Sequence, residues 1–181
     1  LSPIARETVF QAIEIAKHHK VKISFDPNIR FKLWEKDVAK KVLLDIAKQA
    51  DYILPGIEEG KFLTDEEEPE AIANSLHSHG ADHVIVKCGK KGTFYSNGNI
   101  TGFIPSFKVK SVIDPVGAGD GFASGFLSGL LRGEPLDLAV KRGNAVGAFV
   151  IQVNGDIEGL PTDEEVKNLM SDQLDLVDVK R

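Results

Sequence analysis

At 181 residues, 42% hydrophobic and 27% charged, the chain is long enough to bury one substantial core, and it reads as a single domain over 1–181. A net charge of −5 argues against a general nucleic-acid binder, which needs a basic face to neutralise many phosphates. No apolar run of about 18 residues and no basic-then-apolar leader occurs, so neither a membrane span nor a secretory signal is expected. The single cysteine, Cys88, has no internal partner and fits a reducing compartment, so the expected location is the cytoplasm. The chain opens on Leu1 and its sole methionine is Met170, which leads us to expect further sequence upstream.

In chain order, Ser2-Pro3 followed by Ile4, Val9, Ile13 and Ile15 reads as an N-capped helix to Ala16, with proline in its first turn. A strand over Val21 to Phe25 stops at Asp26-Pro27-Asn28, where proline ends ladder donation. Val38, Val42, Leu43, Ile46 and Ala47 recur at helical spacing in a segment from about Trp34 to Ala50, and Tyr52 to Leu54 form the next strand. A helix over Glu70 to His79 and a strand over His83 to Lys87 follow. Gly92 to Ser96 and Asn99 to Ile104 read as a hairpin through Asn97-Gly98. Two long helices, about Ala118 to Arg132 and Pro135 to Val153, precede a short one from Thr162 to Met170. Helices alternating with short apolar strands predict an α/β fold with a mostly parallel sheet covered on both faces.

The segment carrying most chemistry runs from Asp114 through Pro115, Val116, Gly117, Ala118, Gly119, Asp120 and Gly121 to Phe122, directly into an apolar helix. Gly117 and Gly119 permit a tight turn and close ligand approach, and the free amides of a first helical turn favour an anion. Gly121, Gly125 and Gly129 recur at four-residue intervals, and each costs helix stability relative to alanine, so the helix is expected to be seated closely on a neighbour. Asp120, at the helix opening, is placed to take a proton from an attacking hydroxyl. A lone Gly-x-Gly-Asp would read as a turn followed by an acidic first-turn residue; the longer string in its strand-to-helix context favours the anion site.

This stretch closely resembles the C-terminal signature of the ribokinase-like (PfkB) carbohydrate kinases. The resemblance implies a ribokinase-like α/β fold whose N-terminal sheet half, with its lid, lies outside this sequence. It also implies a catalytic base at Asp120 and an anion hole built by Gly117, Ala118, Gly119 and the Asp120 backbone. Within the family, Phe25 to Arg30 with Leu33-Trp34, and Pro55 to Glu59, look most similar to kinases of 2-keto-3-deoxygluconate. The expected reaction is ATP-dependent phosphorylation of a hydroxyl on that sugar acid. The expected partners are therefore small molecules, with a homo-oligomer formed through the missing lid.

The same resemblance distributes further roles. Asn28 and Arg30 follow a strand end, and Arg30 is expected near the acid sugar or the transferring phosphate; otherwise it is a surface arginine after a turn. Lys87, Gly89 and Gly92 belong to a stretch that lines the nucleotide in the family, or else to a basic lead-in to the hairpin. Asn144 lies on the helix that borders the adenine, with Gly147 allowing close approach, and Asp156 is expected to reach substrate. Glu59 matches the glutamate of the family's Asn-x-x-Glu element, which organises Mg2+, but Gly56 stands where the asparagine belongs. Magnesium is therefore expected to be held mainly by ATP and water. A monovalent cation is expected in some members near residues matching Asp114 and the carbonyls of Val116, Ile151 and Gly155. His77, His79 and His83 read as solvated histidines, and Asp65 to Glu70 as a solvent-facing acidic run. Other readings left open are a fructokinase or ribokinase, and a truncated, catalytically silent nucleotide-binding fragment.

Overall fold

The computed structural model describes residues 2–33, 35–155 and 157–178. Seven helices are named along the described chain: α1 (Pro3–His18), α2 (Lys36–Ala47), α3 (Ile57–Thr64), α4 (Pro69–Ser78), α5 (Ala118–Leu131), α6 (Leu136–Val150) and α7 (Asp163–Asp178). Five strands join one sheet in the order β1 (Ser24–Phe25), β2 (Tyr52–Ile53), β3 (His83–Lys87), β4 (Gly92–Ser96) and β5 (Thr101–Pro105). β1 runs parallel to β2, with Ser24 opposite Tyr52, and β2 runs parallel to β3, with Tyr52 opposite His83. Among the described residues, no helix is long and apolar enough to cross a membrane.

The chain divides into two compact units: residues 1–89 with 94–102, and residues 90–93 with 103–181. In the first unit, α1 begins as the sequence indicates, the Ser2 hydroxyl accepting the Ala5 amide at 3.2 Å with Pro3 at the first helical position. Val84, Ile85 and Val86 are all fully buried. Successive strand residues point to opposite faces, so both faces of β3 are covered, as befits an interior parallel strand. Ile53, Ile72, Ala73, Leu76, Val84 and Val86 form the main cluster, and a smaller one unites Ala39, Leu43 and Leu63 with Phe25 and Ile29. At the hairpin turn the Asn97 side-chain oxygen accepts the amides of Asn99 and Ile100, while Gly98 takes φ 84°.

Three elements differ from the sequence expectation. The first strand is confined to Ser24–Phe25, with the Ile23 carbonyl just before it accepting the Asp51 and Tyr52 amides. The helix α3, unforeseen because it has only eight residues and a glycine inside it, opens directly after β2. Gly60 is required there because a Cβ would lie 2.7 Å from the Ile72 side chain of α4. The last helix extends well past Met170, reaching Asp178.

In the second unit α5 and α6 pack along their glycine faces. A Cβ on Gly121 would stand 2.8 Å from Val150, one on Gly125 2.7 Å from Val146, and one on Gly143 2.8 Å from the Phe122 ring. Only hydrogen at these positions lets the two backbones approach so closely. The core beneath them gathers Phe107, Ala145, Val146, Ala148, Val150 and Val166. Buried Arg142 is clamped by Glu134, at 2.9 and 3.1 Å to its Nε, and by Asp163 at 3.0 Å.

Candidate active site

In the second unit, Gly117 is the N-cap of α5 with φ 77° and ψ −11°, a left-handed backbone that glycine alone adopts without strain. Gly121 N–H closes the first turn onto the Gly117 carbonyl at 2.7 Å, and no side chain caps the helix. The amides of the opening residues therefore point out of the mouth along the positive end of the helix dipole. Asp120 occupies the third helical position and is exposed, whereas Gly117, Ala118 and Gly119 are half-buried. Among the described residues the Asp120 carboxylate has no hydrogen-bond or ion-pair partner, which leaves its lone pairs free to accept a proton. Gly147 lets α6 pass close to this mouth, since its Cβ would lie 3.3 Å from the Ala118 carbonyl.

The turn leading into the mouth is braced by Asp114, whose carboxylate accepts the Val116 amide at 3.0 Å. The Ile151 carbonyl accepts the amides of Ile113 at 2.8 Å and Asp114 at 3.3 Å. Two of the groups expected around a monovalent cation thus already hold the chain together. Asn144 is buried, its Oδ1 accepting the Thr93 hydroxyl at 2.7 Å and its Nδ2 donating to the carbonyls of Ile104 and Pro105. Its polar atoms tie α6 to the inner end of the hairpin. Gly92, expected to admit a nucleotide, has φ 129° and a Cβ position only 2.1 Å from the Ile104 carbonyl, so the protein's own strand fills that space. Asp156 lies outside the described residues, as does Trp34.

In the first unit, the remaining candidates gather at the carboxyl ends of β1, β2 and β3, the edge where open α/β sheets hold ligands. Asn28, with φ 41°, and Arg30 are exposed on the turn after β1, and Gly89 is exposed after β3 with open space where a Cβ would point. Lys87 is half-buried and ion-paired with Asp26 across the intervening strand β2. Burial pushes the Asp26 carboxyl above its ordinary 3.8, the Glu59 charge adds to that push, and Lys87 and the Asn28 amide oppose it. Glu59 accepts the Gly56 amide through one carboxylate oxygen and the Ile29 amide through the other, each at 2.7 Å. Asp26 and the Ile29 contact were missed by sequence reasoning, which took Asp26 only as a turn residue. The one available hint was an acid and a lysine at the ends of two apolar strands.

Glu59, the residue expected near magnesium, is already bonded to the protein itself. Both Glu59 oxygens are engaged by backbone amides, Gly56 offers no side chain, and no group of three or more His, Cys, Asp or Glu lies together among the described residues. Nor are all three histidines solvated: His77 is half-buried, bonded to the Ala81 carbonyl at 2.9 Å and to the Ser96 hydroxyl at 2.8 Å. His79 is exposed, and the acidic run from Asp65 to Glu68 faces solvent.

The family model for pfkB carbohydrate kinases matches residues 1–163. The chain belongs to that family. A 2-dehydro-3-deoxygluconokinase of Bacillus subtilis is 47% identical over 153 residues, covering 83% of this chain and 47% of the relative. A 5-dehydro-2-deoxygluconokinase of the same organism is 31% identical over 173 residues, covering 93% and 53%. Among solved structures, a fructokinase double mutant from Vibrio cholerae, bound to fructose, ADP and potassium, superposes with a TM-score of 0.85 at 27% identity, covering 93% of this chain and 56% of that one. The fold is accordingly the ribokinase-like α/β fold. The chain spans about half the length of the curated relatives it matches.

Proposed function

We propose that this chain is the phosphoryl-transferring part of an ATP-dependent sugar kinase whose acceptor is 2-keto-3-deoxygluconate, also called 2-dehydro-3-deoxygluconate. The observation that carries the reaction class is the open mouth of α5, uncapped by any side chain, with exposed Asp120 in its first turn. The substrate is favoured by the 47% identity to a kinase of that name.

In the proposed reaction a sugar hydroxyl oxygen forms a bond to the γ-phosphorus of ATP as the bond to the β,γ-bridging oxygen breaks, releasing ADP. Asp120 receives the hydroxyl proton, so that no full positive charge accumulates on the attacking oxygen. The amides of Gly117, Ala118, Gly119 and Asp120 take the charge on the migrating phosphoryl oxygens, and being fixed by the packed helix they need no reorganisation. Arg30 offers a planar fork of donors to the sugar carboxylate or the phosphate. Asn28, Lys87, Gly89, Gly92 and Asn144 are assigned to the nucleotide side, Gly92 and Asn144 by shaping the backbone around it. Magnesium, carried in with the ATP phosphates, would supply charge neutralisation there, with Glu59 the only side chain assigned near it.

A coupled ADP-release assay on the full gene product tests this reading. Asp120→Asn is expected to lower turnover by at least about 10²-fold. Near-normal turnover would remove the base assignment. The substrate assignment is tested by competition. Preference for fructose over 2-keto-3-deoxygluconate would move the chain toward the fructokinases, and preference for the 5-dehydro-2-deoxy acid toward the relative that is 31% identical.

A further inference from the structure

Two short stretches of the second unit, residues 90–93 and 104–106, are stapled side by side. The Ser106 amide donates to the Lys91 carbonyl at 3.3 Å, and the Ser106 hydroxyl donates to the Lys90 carbonyl at 2.5 Å. Both stretches are then fastened to α6 by one buried amide. Asn144 Nδ2 donates to the Ile104 carbonyl at 3.0 Å and to the Pro105 carbonyl at 3.3 Å, and Oδ1 accepts the Thr93 hydroxyl at 2.7 Å.

The chemistry of these groups fixes the sense of each bond. Carbonyl oxygens only accept, so the NH2 end of the Asn144 amide must face them and its oxygen must face Thr93. The Thr93 hydroxyl hydrogen is what satisfies that oxygen. Thr93 is 1% exposed and Asn144 is itself buried, which leaves water little room to stand in for the hydroxyl. A buried amide oxygen stripped of its donor is costly, and the amide then gains by turning or withdrawing. Asn144 also lies three residues before Gly147, and residues three apart are neighbours on a helix surface. A Cβ on Gly147 would lie 3.3 Å from the Ala118 carbonyl at the mouth of α5. The one amide therefore governs how residues 90–93 lie relative to that mouth.

We propose that Thr93 is a positioning residue for the nucleotide: by donating to Asn144 it locks the amide that holds residues 90–93 beside the α5 mouth, and so sets affinity for the adenine nucleotide without touching it. The proposal rests on the kinase reading above, in which Gly92, Asn144 and the mouth border the nucleotide, and it concerns a residue to which that reading gives no role. A merely structural hydroxyl would support stability and leave nucleotide affinity alone.

The experiment uses the full gene product. Thr93→Val keeps the shape and removes the donor, whereas Thr93→Ser keeps the donor and removes a methyl. The first arm needs no turnover: ADP with Mg2+ is titrated in by calorimetry. Thr93→Val is expected to raise the ADP Kd by about tenfold or more, a fraction of what a misplacement of about 1 Å can cost. Thr93→Ser is expected to bind ADP as wild type does. Thr93→Ala removes the donor without placing a methyl where the hydroxyl stood, and is expected to weaken ADP as valine does. Asn144→Ala should raise the Kd at least as far, and adding Thr93→Val to it should raise it no further, because Thr93 acts only through that amide. The second arm follows the Asn144 side-chain amide by NMR. Its hydrogen exchange is expected to quicken by about tenfold in Thr93→Val and to stay slow in Thr93→Ser. In steady-state kinetics the loss should appear in KM for ATP, with KM for the sugar acid near wild type.

An unchanged ADP Kd in a Thr93→Val protein that has lost stability to urea would make the hydroxyl structural only and overturn the proposal. So would failure of serine to restore affinity, an equal rise in KM for the sugar acid, or effects that multiply in the double variant. If the wild type binds neither ADP nor ATP, the kinase reading falls and takes this role with it. The Asn144 exchange then separately records whether Thr93 holds the amide.

Discussion

Asp26 and Asp120 are carboxylates with opposite circumstances. Asp120 is exposed and without a protein partner among the described residues, as the proton-accepting role proposed for it requires. Asp26 is largely removed from water, which raises its carboxyl, and the Lys87 charge opposes that rise. Replacing Lys87 with methionine keeps most of the stem volume but removes the compensating charge, leaving burial and Glu59 unopposed apart from the Asn28 amide. The Asp26 carboxyl is then expected to titrate higher still. A group whose folded-state pKa is raised binds its proton more tightly folded than unfolded, so stability falls as pH rises from 3.8 through the raised value. The Lys87→Met chain should show that fall over a wider pH window, with the Asp26 carbonyl-carbon shift in NMR giving its new midpoint. A midpoint unmoved by the substitution would mean that solvent, not Lys87, sets the Asp26 charge.

Among the elements, α5 shows how a sequence can spend local stability on placement. Glycines at 121, 125 and 129 weaken the helix intrinsically yet admit α6 to close contact, which holds the mouth at Gly117 rigid. Gly125→Ala would bring a methyl within 2.7 Å of Val146 and 2.9 Å of the Arg142 carbonyl. Overpacking of this kind is expected to cost about 1–3 kcal/mol despite the gain in helix propensity, measurable by urea unfolding. A stabilised Gly125→Ala chain would show that the α5–α6 contact has slack. The spacing of these glycines made the packing legible in the sequence, as the apolar run from Val84 to Val86 did for the buried strand. Helix α3 was not legible, because Gly60 is demanded by Ile72 of another helix and looks locally like a break. The Asp26–Lys87 pair spans 61 residues and exists only once β1, β2 and β3 are aligned, so no local pattern announces it. Gly92 was legible only in part: its freedom answers to the Ile104 carbonyl, a neighbour that the sequence reading did not bring to it.

For the molecule as a whole, a net charge of −5 means that an anionic ligand gains nothing from the overall field and relies on local donors. The same acidic balance makes the response to acid a matter of which carboxylates are held ionised by folding. Glu134 is held below its ordinary 4.5, first by hydrogen bonds from Arg142 and then by the charges of Arg142 and Arg132, against the cost of burial. Its unfolded form therefore binds a proton at a pH where the folded form does not. The stability it contributes is complete above about pH 4.5 and drains away as pH falls through the folded value. Asp26 has the opposite sign and gives some of that loss back. Glu134→Gln removes the ionisation and leaves buried Arg142 with Asp163 as its charged partner, so the variant is expected to be less stable by about 1–3 kcal/mol at neutral pH. Because glutamine does not titrate, the gap to wild type should close as pH falls below 4.5, which urea unfolding followed by circular dichroism across that range measures. A gap constant with pH would mean that Glu134 supports Arg142 by shape and hydrogen-bond geometry alone, with no contribution from its charge.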